Sequence, residues 1–214
     1  GWDNYNHNLI SKGGGAFEKS EKAISISPEM QKVLGITQNT LSGSALVSAI
    51  LKAPVDLFYN GGIGTYVKAE NEENSKVGDP ANNEVRVNGS ELRAKVVCEG
   101  GNLGFTQLGR IEYALNGGNI YTDALDNSAG VDLSDHEVNL KIFFNHLKEI
   151  GKIANDDERD IYLKEIANEV CHNVLSDNAL QSLAVDADYS ESILKGWDQF
   201  IKGSQDLISK KILH

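Results

Sequence analysis

The stretch Ala94-Lys95-Val96-Val97-Cys98-Glu99-Gly100-Gly101-Asn102 decides the fold. Its first half is short, apolar and rich in β-branched residues, which reads as a strand. Its second half is acid, glycine and amide, which reads as a turn where backbone can come close to a partner. The same rhythm occurs on both sides. Val55-Asp56-Leu57-Phe58-Tyr59 runs into Asn60-Gly61-Gly62-Ile63-Gly64, and Ile120-Tyr121-Thr122-Asp123-Ala124-Leu125 runs into Asp126-Asn127-Ser128-Ala129-Gly130. Between the second and third strands a helix is predicted from Thr106, a capping residue, to Leu115, with Gly117-Gly118 ending it.

Strands separated by helices predict an α/β protein with a parallel sheet. In such sheets ligands bind outside the carboxyl ends of the strands. Glycine there admits a ligand to the backbone, and asparagine amides can hydrogen-bond ribose or carboxamide groups. Any one such loop reads more readily as an ordinary left-handed turn, which favours the same residues. Three at consecutive strand ends bring the ligand reading level with it.

Outward from this core, residues 1 to 23 read as loop. Ser27-Pro28-Glu29 starts a helix that ends near Gly35, since serine caps, proline fits the first turn and glutamate suits the positive end. A second helix covers about 44 to 52 and Pro54 stops it. Residues 68 to 90 are polar and read as a solvated insertion or long loop, with room for a short helix. A long helix is expected after Val131, with Ser134 as cap and Glu137 as its capping-box partner. After a break near Asn155, another helix covers about 158 to 175, and a weakly amphipathic tail runs from 190 to 213.

The bulk numbers bound the function. The 214 residues carry 40% hydrophobic and 24% charged side chains, enough for a core and close to a globular average. A net charge of −11 provides no surface for a phosphate backbone, so nucleic acid is excluded as a partner. No apolar run approaches a membrane span and no signal peptide opens the chain. Two cysteines, Cys98 and Cys171, sit in apolar stretches and read as buried free thiols in a reducing cytoplasm. The chain opens on Gly1 in polar sequence, which fits an excised fragment and equally a processed or tagged chain.

Familiar motifs fail on inspection. Lys12 precedes Gly13-Gly14-Gly15, the reverse of a phosphate loop. Gly62-Ile63-Gly64 lacks the third glycine of a dinucleotide fingerprint. His136-Glu137 has Leu140 where a zinc helix needs histidine, and no metal site is expected. Ser134-Asp135-His136 are adjacent on a helix and cannot form a relay together, which leaves His136 a capping or surface residue.

Four stretches resemble the large bacterial NAD-specific glutamate dehydrogenases: Leu9–Phe17, Ala53–Val67, Gly89–Gly104 and Asp126–Val138. The match covers about residues 1 to 145 well and the helical tail loosely. The resemblance implies a partial Rossmann-like parallel sheet with flanking helices over 1–145, the later part of a cofactor-binding domain, and a helical extension over 146–214. It implies NAD as cofactor, L-glutamate and 2-oxoglutarate as substrate and product, and a homo-oligomeric parent polypeptide. Glu99-Gly100-Gly101-Asn102 is similar to the Glu-Gly-Ala-Asn of the small hexameric glutamate dehydrogenases, and Asn127-Ser128-Ala129-Gly130-Val131 to their Asn-Ala-Gly-Gly-Val. By that likeness Asn102 contacts the cofactor ribose and Asn127 holds the nicotinamide carboxamide. Val131 lines the substrate pocket and Ser134 bonds the γ-carboxylate. The loop Asn60-Gly61-Gly62 joins the cofactor set with Glu99, Gly100 and Gly101, though it departs further from the small enzymes.

In the family, the glycine fingerprint, the ribose-binding acid and the catalytic lysine and aspartate precede this region. None has a counterpart here, so no catalytic residue is expected, and the chain alone is expected to be folded but catalytically silent. A dehydrogenase of another amino acid, or a non-catalytic regulatory or oligomerisation module, are the alternatives. Ser134 separates the first of these, since an aliphatic substrate needs no serine there.

Overall fold

A computed structural model of the chain describes residues 6–212. Residues 1–5 of the loop-like opening and residue 213 of the tail lie outside the described residues. The chain divides into two compact units, 1–127 and 128–214. The first contains β1 (Ile24–Ser25), α1 (Pro28–Leu34), β2 (Thr40–Leu41), α2 (Gly43–Leu51), β3 (Leu57–Asn60), β4 (Val67–Lys68), α3 (Asn74–Val77), β5 (Val87–Asn88), β6 (Val96–Glu99), α4 (Gln107–Leu115), β7 (Asn119–Ile120) and α5 (Asp123–Asp126). The second contains α6 (Ser128–Glu149), α7 (Asp156–Lys195) and α8 (Trp197–Ser209).

The sheet that matters runs in the order β3-β6-β7, parallel throughout, with Asn60 beside Glu99 and Val97 beside Ile120. This is the expected α/β architecture. Side chains alternate along a strand. In β6, Val97 and Glu99 therefore share one face, each 1% exposed, while Val96 and Cys98 take the other. In β3, Phe58 and Asn60 face the core side and Leu57 and Tyr59 are exposed. The covered face meets α4, which turns Gly109, Arg110 and Tyr113 inward at helical spacing. Val97, Phe105, Tyr113, Val67, Val87, Leu92 and Leu51 form one core, with Phe58 and Ile120 packed against it. Tyr113 satisfies its buried hydroxyl by donating to the Ala94 carbonyl at 2.8 Å.

A second core of Ile24, Ile26, Leu34, Leu46, Ala49 and Ala53 joins α1 and α2 to the antiparallel pair β1-β2. α1 starts as the sequence predicts, and α2 starts one residue before the expected 44, with Ser42 as its cap. The Ser27 and Ser42 hydroxyls accept from the Met30 and Ala45 amides, and Gly35 closes α1 in the left-handed conformation. Arg93 then ties the two helix ends together, donating to the carbonyls of Leu34 and Lys52 at 2.6 Å each.

Several expectations need correction. The third strand is only Asn119–Ile120, because Thr122 starts a helical turn and the Asp123 carboxylate accepts the Ala124 amide. The polar segment 68–90 is more than solvated loop. It carries the short helix that the sequence left room for, α3, but also the short parallel pair β4-β5, and Val85 and Val87 are buried. Arg86 organises it from inside, donating to the carbonyls of Thr65 and Asp79 and to the side chains of Asn74 and Asn83. Ser134 caps nothing, because α6 begins six residues earlier at Ser128 and carries Ser134 in its interior. The helix expected over 158–175 runs from Asp156 to Lys195, with Asn155 as its cap. Cys98 is half-buried and Cys171 is exposed, both unpaired, so the second is no core thiol. His136 is a surface residue, 3.9 Å from Asp132.

Phe105 is 1% exposed at the centre of the first core. Phe105→Ala should cost about 3–5 kcal/mol by lost transfer energy and the cavity left behind. Denaturant unfolding measures this, and a loss under about 1 kcal/mol would contradict the packing.

Candidate functional site

The loops that follow the parallel strands meet. At the end of β3, the Gly62 carbonyl comes so near Gly101 that a Cβ there would lie 2.9 Å from it. The Gly100 amide donates to the Asn60 carbonyl at 2.9 Å. At the end of α5, Asn127 Nδ2 donates to Asn102 Oδ1 at 3.1 Å. The sequence-predicted residues Asn60, Gly61, Gly62, Glu99, Gly100, Gly101, Asn102 and Asn127 are thus brought together in the first unit. Gly61, Gly62 and Asn102 are exposed, and Asn127 is half-buried. A Cβ at Gly62 would meet nothing within 4 Å, so its backbone faces open space. Val131 and Ser134 lie in the second unit, on α6, and both are exposed.

Glu99 is different in kind. Its side chain is fully buried, because it sits on the same strand face as Val97. Arg110 of α4 reaches it, with Nη2 at 2.6 Å from Oε2. The approach is off the N–H axis, and neither Glu99 oxygen has an aligned hydrogen-bond donor. Arg110 Nη2 also lies 3.7 Å from Asp123 Oδ1, and its Nη1 donates to the Tyr121 carbonyl at 2.6 Å. Asp126 Oδ2 accepts the Glu99 amide at 2.9 Å, and Asp123 Oδ2 accepts the Leu103 amide at 2.8 Å. Burial pushes the Glu99 carboxyl above the ordinary glutamate range, with Arg110 opposing and Asp123 adding to the rise. Burial raises Asp126 as well, against the Glu99 amide and Arg110, which lower it.

Arg110, Asp123 and Asp126 are residues that a motif reading misses. A signal was present. Alternation along β6 sends Glu99 to the core face, and a buried carboxylate calls for a cation. Arg110, three residues before Tyr113 on the inward side of α4, is the basic residue at the right spacing. Among the described residues no group of three or more histidine, cysteine or acidic side chains could hold a metal ion. No helix among them is long and apolar enough to cross a membrane.

A parallel sheet flanked by helices, with glycine and asparagine loops gathered at its carboxyl edge, defines the chain as an α/β protein. The family model "Bacterial NAD-glutamate dehydrogenase, catalytic domain" matches residues 1–188. NAD-specific glutamate dehydrogenase of Mycobacterium tuberculosis is 52% identical over 187 residues, covering 85% of this chain and 12% of the relative. The proteins of the same name from Pseudomonas aeruginosa and Halomonas elongata are 50% and 48% identical, each over 86% of this chain and 11% of the relative. The chain belongs to the bacterial NAD-glutamate dehydrogenase family, and it spans 11–12% of the length of these relatives.

The buried acids set a pH dependence. The folded state holds the Glu99 and Asp126 protons more tightly than the unfolded chain does, so stability should fall as pH rises from the ordinary carboxylate values through the raised ones. Glu99→Gln should flatten part of that slope and leave the Asp126 part. Denaturation midpoints measured from acid to neutral pH test this, and an unchanged slope in the variant would contradict it.

Proposed function

We propose that this chain forms one wall of the active site of an NAD-dependent glutamate dehydrogenase. The meeting of Asn102, on the loop after β6, with Asn127, at the end of α5, carries the reading. Amides presented this way can bond the hydroxyls of a ribose and the carboxamide of a nicotinamide. The backbone of Gly61 and Gly62, exposed and without side chains, leaves the approach open. The residues present fit the cofactor. NAD, when bound, supplies the ring that accepts hydride from the glutamate α-carbon; water then completes the conversion to 2-oxoglutarate and ammonia.

In this reading Asn102 bonds the ribose and Asn127 the carboxamide. Glycines 61, 62, 100 and 101 line the path of the cofactor, and Asn60 and Glu99 hold those loops from below. Val131 and Ser134 receive the side chain and γ-carboxylate of glutamate. The functional boundary then falls near residue 145, beyond the break in compactness at Asn127, with a helical extension after it.

The chain is part of a longer polypeptide, and the remainder supplies the catalytic groups. The sheet supports this. Parallel sheets bury both faces, yet here Leu57, Tyr59 and Val96 are 55%, 62% and 38% exposed on the face away from α4. Orientation of reactants accounts for on the order of 7–11 kcal/mol in well-aligned systems, and one wall alone forfeits most of it. The isolated chain is therefore inactive.

The test uses the full-length polypeptide and follows dihydronicotinamide absorbance with L-glutamate and NAD. Asn127→Ala should raise KM for NAD about tenfold, the loss of one or two hydrogen bonds of roughly 1 kcal/mol each. Ser134→Ala should raise KM for glutamate and leave that for NAD unchanged. Absence of glutamate-dependent reduction by the unsubstituted polypeptide would overturn the reading.

A further inference from the structure

Four polar side chains are buried together at the carboxyl ends of the three parallel strands. They are Asn60 at 8% exposure, Glu99 at 1%, Arg110 at 6% and Asp123 at 8%. Each belongs to a different piece of chain: β3, β6, α4 and α5. The Glu99 carboxylate and the Asn60 amide crowd one point, since a Cβ on Gly104 would strike Asn60 Nδ2 and lie 2.5 Å from Glu99 Oε1. Arg110 joins the pieces. Its guanidinium reaches Glu99, Asp123 and the Tyr121 carbonyl at once, and its Cζ lies 5.7 Å from the centre of the Phe105 ring.

A second observation bears on the loop above. Leu103 has φ of 61°, in the left-handed region, and is 64% exposed. A leucine there costs on the order of 1–2 kcal/mol, and such strain persists only where surroundings impose it. The Asp123 carboxylate accepts the Leu103 amide in this conformation, at 2.8 Å, and so stabilises it. Asn102, one residue earlier, is the partner of Asn127. The conformation that presents Asn102 is thus held by Asp123, and Asp123 faces Arg110.

We infer that Arg110 is a positioning residue: it fixes the loops at 60–62, 99–104 and 121–127 in one mutual arrangement and, through Asp123, holds the strained Leu103 turn that presents Asn102 to the cofactor. This rests on the proposed function for the identity of the ligand, but not for the mechanical role. A lysine keeps the charge but not the planar fork, so it cannot engage two carboxylates and a carbonyl together.

The test is made on the full-length polypeptide with Arg110→Lys. Hydrogen exchange read by mass spectrometry should accelerate in peptides covering all three loops and stay unchanged in the core of residues 24–53. KM for NAD should rise about tenfold, with kcat at saturating NAD changed less than about threefold. Unchanged exchange in the loops overturns the inference whatever the kinetics. Accelerated exchange with unchanged NAD affinity also overturns it, because the loops would then be held for some other purpose. If Arg110→Lys does not fold, Asp123→Asn, which retains an acceptor for the Leu103 amide and loses the charge facing Arg110, should show the same pattern at about threefold. Its failure to do so counts equally against the role. Failure of the unsubstituted polypeptide to oxidise glutamate overturns the proposed function alone, since the exchange readout does not depend on that reaction.

Discussion

The structure depends on one buried charge. Strand alternation places Glu99 beneath the sheet's carboxyl edge, on the side already filled by Val97. A carboxylate there is costly unless a cation comes to it. Arg110 comes from α4, which must therefore pack with that face inward, and Tyr113 and Gly109 follow on the same face. Once Arg110 is in place it also faces Asp123 and donates to the Tyr121 carbonyl. The strand, the helix and the turn after β7 are thereby fixed to one another through a single guanidinium.

This arrangement explains why the loops converge. Gly101 can approach the Gly62 carbonyl because it has no side chain. Gly104 passes over Asn60 and Glu99 for the same reason. Glycine serves here to let polypeptide meet polypeptide, and the open backbone of Gly62 is what remains for a ligand. The asparagines at 102 and 127 stand where the loops meet, with their amides already paired to each other. In the proposed function, a cofactor carboxamide or ribose exchanges for part of that bond, a near-neutral trade compared with desolvating two separate amides.

The parallel sheet was legible because apolar runs ending in glycine and asparagine occur at β3 and β6, and because Thr106, Ser27 and Gly35 are strong local signals for helix ends; the third such run, expected to end in a loop at 126–130, is helical there instead. Those signals are short-range, and the structure honours them. The departures are long-range. Thr122 and Asp123 look like strand continuation until Leu103 and Arg110, distant in sequence, engage the carboxylate. Ser134 and Glu137 have capping-box spacing, yet the helix begins at Ser128 and carries both in its interior. The order in residues 68–90 comes from Arg86, whose four partners span residues 65 to 83. The candidate site is legible mostly through resemblance to a family; the buried pair beneath it is legible from alternation along β6 and helical spacing along α4.

The central claim is that NAD lies against the loops at 60–62, 99–102 and 127. A structure of the full-length polypeptide with NAD bound, determined by electron cryomicroscopy, tests it most directly. The account predicts the nicotinamide carboxamide in hydrogen-bond contact with Asn127 and a ribose hydroxyl at Asn102, over a Glu99–Arg110 pair that has not moved. A cofactor seated away from these loops would contradict it.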